Sequence, residues 1–197
     1  METDVDYTTL SLAEVRAGFQ EMAHDAQATF GHLDASRLNW KPDTARWSVA
    51  QCFEHLLIAN RLMLRCAEDA LAGDRPKTIW QRLPIVPGVL GRMLIRSQAP
   101  GGQRKYAAAP EAQPAASGVA ADIIEQIVAQ HREASARLET LAEGKAARTI
   151  MTSPFIAVIT YSVLDGCRLI VAHDRRHFEQ ARRVMESPGF PREASAV

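Results

Sequence analysis

Residues 162–185 read SVLDGCRLIVAHDRRHFEQARRVM. Wound at about 100° per residue, they gather Val163, Cys167, Ile170, His173, Asp174, His177, Phe178, Ala181 and Val184 on one side. Arg168, Arg175, Arg176, Glu179 and Arg183 fall on the other. This pattern predicts a helix over about 163–185, opened by Ser162 with Asp165 three residues on and ended by Pro188 and Gly189. Its apolar face needs partner helices to cover it, and that same face carries two histidines and an acid.

Three other stretches share the period. Residues 10–33 open with Ser11-Leu12-Ala13-Glu14, a capping-box pattern in which hydroxyl and carboxylate each satisfy a backbone N–H left unpaired at a helix start. Leu12, Val15, Phe19, Met22, Ala26, Phe30 and Leu33 form the stripe, while His24 and His32 lie outside it and are expected in solvent. Residues 48–72 begin with Ser48-Val49-Ala50-Gln51 and stop before Gly73. Cys52, Phe53, Leu56, Asn60, Met63, Leu64, Ala67 and Leu71 turn inward there, with His55 on the flank. Residues 119–142, closed by Gly144, place Ile123, Ile124, Ile127, Val128, Ala134, Leu138 and Leu141 inward, with His131 in mid-face. Four amphipathic helices without sustained alternation predict an all-α helical bundle. The patch 149–160, rich in Ile, Val and Thr, is expected to be an extended loop or one edge strand.

The connections differ in length. Residues 34–47 are few enough to join antiparallel neighbours, whereas 73–118 form a long crossover between the second and third helices. Its first part, 77–97, is apolar and aromatic, with Trp80, Leu83, Ile85, Val86, Val89, Leu90, Met93, Leu94 and Ile95 interrupted by Arg82, Pro84, Pro87, Gly88 and Arg92. Short helices are expected there, packed over the bundle end or against a second subunit. The longest uncharged run, 83–91, falls far below the ~20 residues that span a bilayer. Residues 98–117, rich in Ala, Gly, Gln and Pro, are expected to be a mobile loop.

At 197 residues the chain is expected to be one domain, large enough to bury a core without staples. Lys and Arg number 23, as do Asp and Glu, so the basic excess that drives binding to phosphate backbones is missing. Arg168, Arg175, Arg176, Arg182 and Arg183 make one basic helix face, a feature that is usually solvated, and neither nucleic acid nor membrane is an expected partner. The opening METDVD has three acids and no apolar run, which predicts neither a secretory signal nor an anchor and places the chain in the cytoplasm. Cys52, Cys66 and Cys167 are odd in number and lack C-x-x-C spacing, so they read as small buried hydrophobes. Nucleotide-binding glycine loops and the G-x-S-x-G nucleophile turn do not occur.

The sharpest chemical signal is His173-Asp174-Arg175-Arg176-His177, because residues four apart project from one helix face and two imidazoles can reach one ion. Buried neutral imidazoles need partners for their ring nitrogens, and either a divalent metal or a set of structural hydrogen bonds supplies them. His55 adds a third ligand if the second and fourth helices are neighbours; otherwise it is an exposed or capping histidine. His131 reads as a hydrogen-bonded core residue or as a reserve partner of the site. Asp174 must be paired, either with a metal-bound histidine, whose tautomer it would fix, or with an arginine of a neighbouring helix. Asn60 reads as a core hydrogen-bonder.

Leu38-Asn39-Trp40-Lys41-Pro42, then Arg46-Trp47-Ser48-Val49-Ala50-Gln51, His55-Leu56, and His173-Asp174-Arg175-Arg176-His177-Phe178-Glu179-Gln180 together resemble the DinB/YfiT-like superfamily over most of the chain. The resemblance implies an up-down-down-up four-helix bundle whose long connection joins helices 2 and 3. It also implies that His55, His173 and His177 are a metal triad for nickel or zinc. By the same resemblance, the expected activity is metal-dependent transfer of a low-molecular-weight thiol to a small-molecule substrate, or hydrolysis. The expected assembly is a homodimer, with 80–95 as the interface. A non-catalytic ligand-binding or interaction bundle is the alternative. Relatives often carry a His-Pro pair before the last helix; here the residues are Ser153-Pro154-Phe155, so any role of that histidine is missing.

Overall fold

The computed structural model describes residues 5–73, 86–101 and 108–191. They fold as α1 (Leu12–Phe30), α2 (Ala35–Asn39), α3 (Val49–Ala72), α4 (Val86–Gln98), a 3₁₀ turn (Pro110–Ala112), α5 (Ile123–Glu139) and α6 (Glu143–Arg148). Strands β1 (Ile150–Thr152) and β2 (Thr160–Ser162) and helix α7 (Val163–Met185) complete the order. The chain is therefore mostly helical, as the periodicity predicts, with one small sheet.

Three of the predicted starts form through the predicted chemistry, whereas the helix expected over 119–142 runs Ile123–Glu139 without a side-chain cap, and Gly144, expected to close it, lies inside α6. Ser11 accepts the Glu14 N–H at 3.2 Å while Glu14 accepts the Ser11 N–H at 2.7 Å, and Ser48 and Gln51 exchange the same two bonds at 3.1 Å each. Ser162 accepts the Asp165 N–H at 3.0 Å and so starts α7 where its sequence indicates. Gly73 ends α3 at φ +76°, a left-handed conformation that glycine adopts without steric cost.

The long helices pack chiefly as α1 on α5 and α3 on α7, with further contact of α3 on α5 and α1 on α7. Arg16 near the start of α1 meets Glu139 at the end of α5 at 3.4 Å. Gln130 of α5 donates to the Leu57 carbonyl of α3 at 3.0 Å. Arg175 of α7 reaches Glu21 of α1 at 2.7 Å, and Arg182 pairs with Asp25. Between them lie Phe19, Met22, Phe30, Phe53, Leu56, Ile124, Ile127 and Phe178, all fully buried. Phe53 meets Phe30 edge-on at 4.9 Å and Phe178 at 5.1 Å. Each such ring contributes about 1.5–3 kcal/mol by leaving water. Arg168 bonds to the Leu10 carbonyl and Asp165, and Arg176 to the Ser97 carbonyl, so the basic face of α7 ties neighbouring segments together. Among the described residues, no helix is long and apolar enough to cross a membrane.

The structure adds detail to two local expectations and corrects two others. The connection 34–47 contains α2, because Asp34 caps it by accepting the Arg37 N–H at 2.9 Å. Of the apolar part of the crossover, residues 86–98 form one 13-residue helix, α4. Pro87 stands in its first turn, where no N–H is needed, and Gly91 lets α4 approach α7 closely. A Cβ there would lie 2.9 Å from Asp165 Oδ2 and 3.1 Å from Tyr161 Cβ. The expectation for 77–85, Trp80 included, lies outside the described residues. The patch 149–160 forms an antiparallel pair of strands, Ile150 opposite Ser162 and Thr152 opposite Thr160, instead of a loop or a single edge strand. Tyr161 anchors it by burying its ring and donating to Met63 Sδ at 3.2 Å. Finally, part of the expected mobile loop is held in place. Ala112 is buried, and side chains of α3 bond the main chain just beyond it.

Candidate metal centre

His55 sits in the second turn of α3, and His173 and His177 lie one turn apart late in α7. Because α3 packs on α7, the three rings meet: their centroids are 5.2 Å apart for His55 and His173, 4.8 Å for His55 and His177, and 4.6 Å for His173 and His177. One nitrogen from each ring falls within 4.8 Å of the others. The flank position of His55 on the helical wheel becomes a buried one, 5% exposed, because the Pro110–Ala112 turn covers that side of α3. An exposed or capping His55 is thereby excluded. His24 and His32 are exposed, as expected.

A hydrogen bond fixes which nitrogen of His55 faces the centre. His55 Nδ1 lies 2.6 Å from the Ala112 carbonyl, an acceptor only, so Nδ1 carries the proton and Nε2 presents a lone pair. His173 Nδ1 lies 3.7 Å from Asp174 Oδ1, and this carboxylate favours the same tautomer in that ring. The two Nε2 atoms then face one another at 3.3 Å. At this distance the pair shares either one proton, with His173 Nε2–H donating to His55, or, with both nitrogens bare, one cation. Metal–nitrogen bonds of about 2.0–2.1 Å in a tetrahedral arrangement require nitrogens about 3.3–3.4 Å apart. Nδ1 of His177 is buried without a hydrogen-bond partner, as is Nδ1 of His131 outside the cluster. The donor set therefore fits a borderline divalent ion.

Burial pushes the His55 imidazole down to about 4, and the facing His173 adds to the effect. Burial, followed by repulsion from His173 and His55, pushes His177 down to about 2. Neutral imidazole is the metal-binding form, so both groups are poised as ligands at ordinary pH. Trp47 walls the cluster, stacked on His177 at 5.9 Å and 22° and packed on His55 at 5.1 Å.

Behind the triad stands a buried polar network. Asp174, with no exposure, accepts from Asn60 Nδ2 and from His131 Nε2, both at 2.7 Å on Oδ2. Burial raises its pKa, but hydrogen bonding from His131 and then His173 outweighs this, and the carboxyl lies below its ordinary value. Asp174 bonds neither of the partners the sequence left open: His131 and Asn60 take its Oδ2, and His173 Nδ1 stands 3.7 Å from Oδ1. His131 packs between Phe19 and Phe178 and supports the carboxylate without joining the triad. Asn60 is the core hydrogen-bonder its pattern indicates. Cys52 belongs to the core, where burial pushes its thiol up to about 12 and removes it as a nucleophile. The sequence reading missed the Ala112 carbonyl, because main-chain acceptors leave no side-chain signature. It missed Trp47 as a wall because that residue precedes the helix whose periodicity was counted.

A family model described as the DinB superfamily matches residues 18–181. No curated protein matches the chain, and no solved structure does.

Proposed function

The chain belongs to the DinB superfamily, and from that premise we propose that it is a metal-dependent enzyme in which His55, His173 and His177 hold Zn²⁺ or Ni²⁺. The observation that carries this reading is the opposed pair of Nε2 atoms of His55 and His173, 3.3 Å apart, with His177 beside them. We read α1, α3, α5 and α7 as an up-down-down-up four-helix bundle forming one domain. The terminal pairing of Arg16 with Glu139 and the parallel run of contacts from Glu21 and Asp25 to Arg175 and Arg182 support that order.

When bound, the ion supplies Lewis acidity, which makes a thiol or water entering its open position more acidic. The chain's own residues do the rest. His55 and His173 present fixed lone pairs, Trp47 shields one side from water, and Asp174 places one buried negative charge behind His173. A small electrophilic molecule and a low-molecular-weight thiol are the substrates this arrangement suits, with hydrolysis as the neighbouring chemistry. The expected setting is the cytoplasm and the expected assembly a homodimer, to which Val89 and Met93, the exposed apolar residues of α4, would contribute.

The rival reading is a non-catalytic bundle in which the histidines only make hydrogen bonds. Metal analysis by inductively coupled plasma mass spectrometry decides between them. About one Zn or Ni per chain after reconstitution, lost in His177→Ala with the helical fold and melting temperature retained, is the outcome expected. Metal-free wild-type protein after reconstitution, or His177→Ala protein that unfolds, supports the rival.

A further inference from the structure

The segment that ends the long crossover is held on α3 by three residues spaced along one helix face. Gln51 Nε2 donates to the Ala115 carbonyl at 2.7 Å and the Ala116 carbonyl at 3.1 Å. Glu54 accepts the Ala115 N–H at 2.6 Å, and His55 Nδ1 donates to the Ala112 carbonyl at 2.6 Å. Gln51, Glu54 and His55 thus form a ladder on the segment's main chain, and the last rung is a histidine of the triad. Beyond the ladder, Asn39 pins Val119 by exchanging two bonds, at 3.0 and 3.1 Å. The segment itself offers little apolar side chain beyond Ala112, so these bonds and not core burial hold it in place.

We infer that Gln51 and Glu54 are positioning residues for the metal site: by docking residues 110–116 they place the Ala112 carbonyl that sets the tautomer of His55. The inference rests on the metal reading above and extends it to regulation of the same site. An undocked segment frees His55 to rotate or to carry its proton on Nε2, the nitrogen that must be bare to bind a cation. Linkage then runs both ways, since a cation that selects the bare Nε2 also selects the Nδ1–H that bonds Ala112. Metal occupancy and docking of the crossover stabilise each other, and anything that lifts the crossover loosens the metal.

Glu54 separates this account from simple electrostatics, because it is partly exposed, lies outside the triad, and has a conservative replacement that keeps the acceptor and drops the charge. The experiment measures zinc affinity by competition with a chromophoric chelator for wild type, Glu54→Ala and Glu54→Gln, alongside amide hydrogen exchange of residues 108–119 with and without zinc. Glu54→Ala is expected to weaken zinc about tenfold, the size of losing a ligand's hydrogen-bond partner, and Glu54→Gln to restore it. Zinc is expected to slow exchange at the Ala112 and Ala115 amides in wild type. Equal affinity in all three proteins, equal loss in Ala and Gln variants, or exchange in this segment indifferent to zinc overturns the inference. Wild-type protein that takes up no zinc at all would instead sink the metal reading on which it stands.

Discussion

Asp174 is the residue on which burial and charge conflict most sharply. A carboxylate with no exposure is tolerated only because Asn60 and His131 donate to one oxygen while His173 faces the other. Asp174→Asn keeps the shape and removes the charge, and its amide would confront donors on both sides. Zinc affinity measured by chelator competition is expected to fall about 10- to 100-fold, and a change under about twofold would remove Asp174 from the site. The pair His173 and His177 was legible from spacing alone, because a four-residue repeat on a helix fixes a shared direction. The partner of Asp174 was not legible, since periodicity places a side chain on a face but does not say which neighbouring helix supplies the hydrogen bond. His55 shows the same limit: its flank position became buried only because a distant main-chain turn lies over it.

At the scale of elements, α3 and α7 bring imidazoles into the bundle in their neutral form. The folded protein holds His55 near 4 and His177 near 2, while both would take up a proton near 6.5 once unfolded. Below pH 6.5 the unfolded chain therefore binds protons that the folded chain refuses, so stability present above that pH is lost as pH falls toward about 4. Metal-free protein should lose on the order of 2 kcal/mol per histidine between pH 7 and pH 5, read from urea unfolding. A flat profile over that interval would show that these rings are not held neutral. Helix α4 was legible as apolar but not as one continuous element, because Pro87 and Gly88 interrupt its pattern, and Gly91 serves a contact the sequence does not display. Gly91→Ala would push a methyl group against Asp165 and Tyr161, at a cost of about 1–3 kcal/mol in thermal unfolding, with faster amide exchange along α4. Unchanged stability would mean that α4 can shift freely on α7.

Over the whole molecule, four amphipathic stripes sufficed to anticipate a helical protein, since each stripe needs a partner and together they close a core around Phe30, Phe53 and Phe178. The two-stranded sheet escaped that reading because its strands are three residues each, too short for alternation to register. The same core fixes α3 against α7 and so gives the triad its geometry. On the reading proposed above, this scaffold sets the ligands and a main-chain strap across one of them adjusts how well they bind. Diffraction from metal-reconstituted crystals at the zinc and nickel absorption edges tests this most directly. The account predicts one anomalous peak per chain, about 2.0–2.1 Å from a ring nitrogen of each of His55, His173 and His177. A stoichiometric peak elsewhere, or none between these three rings, would contradict it.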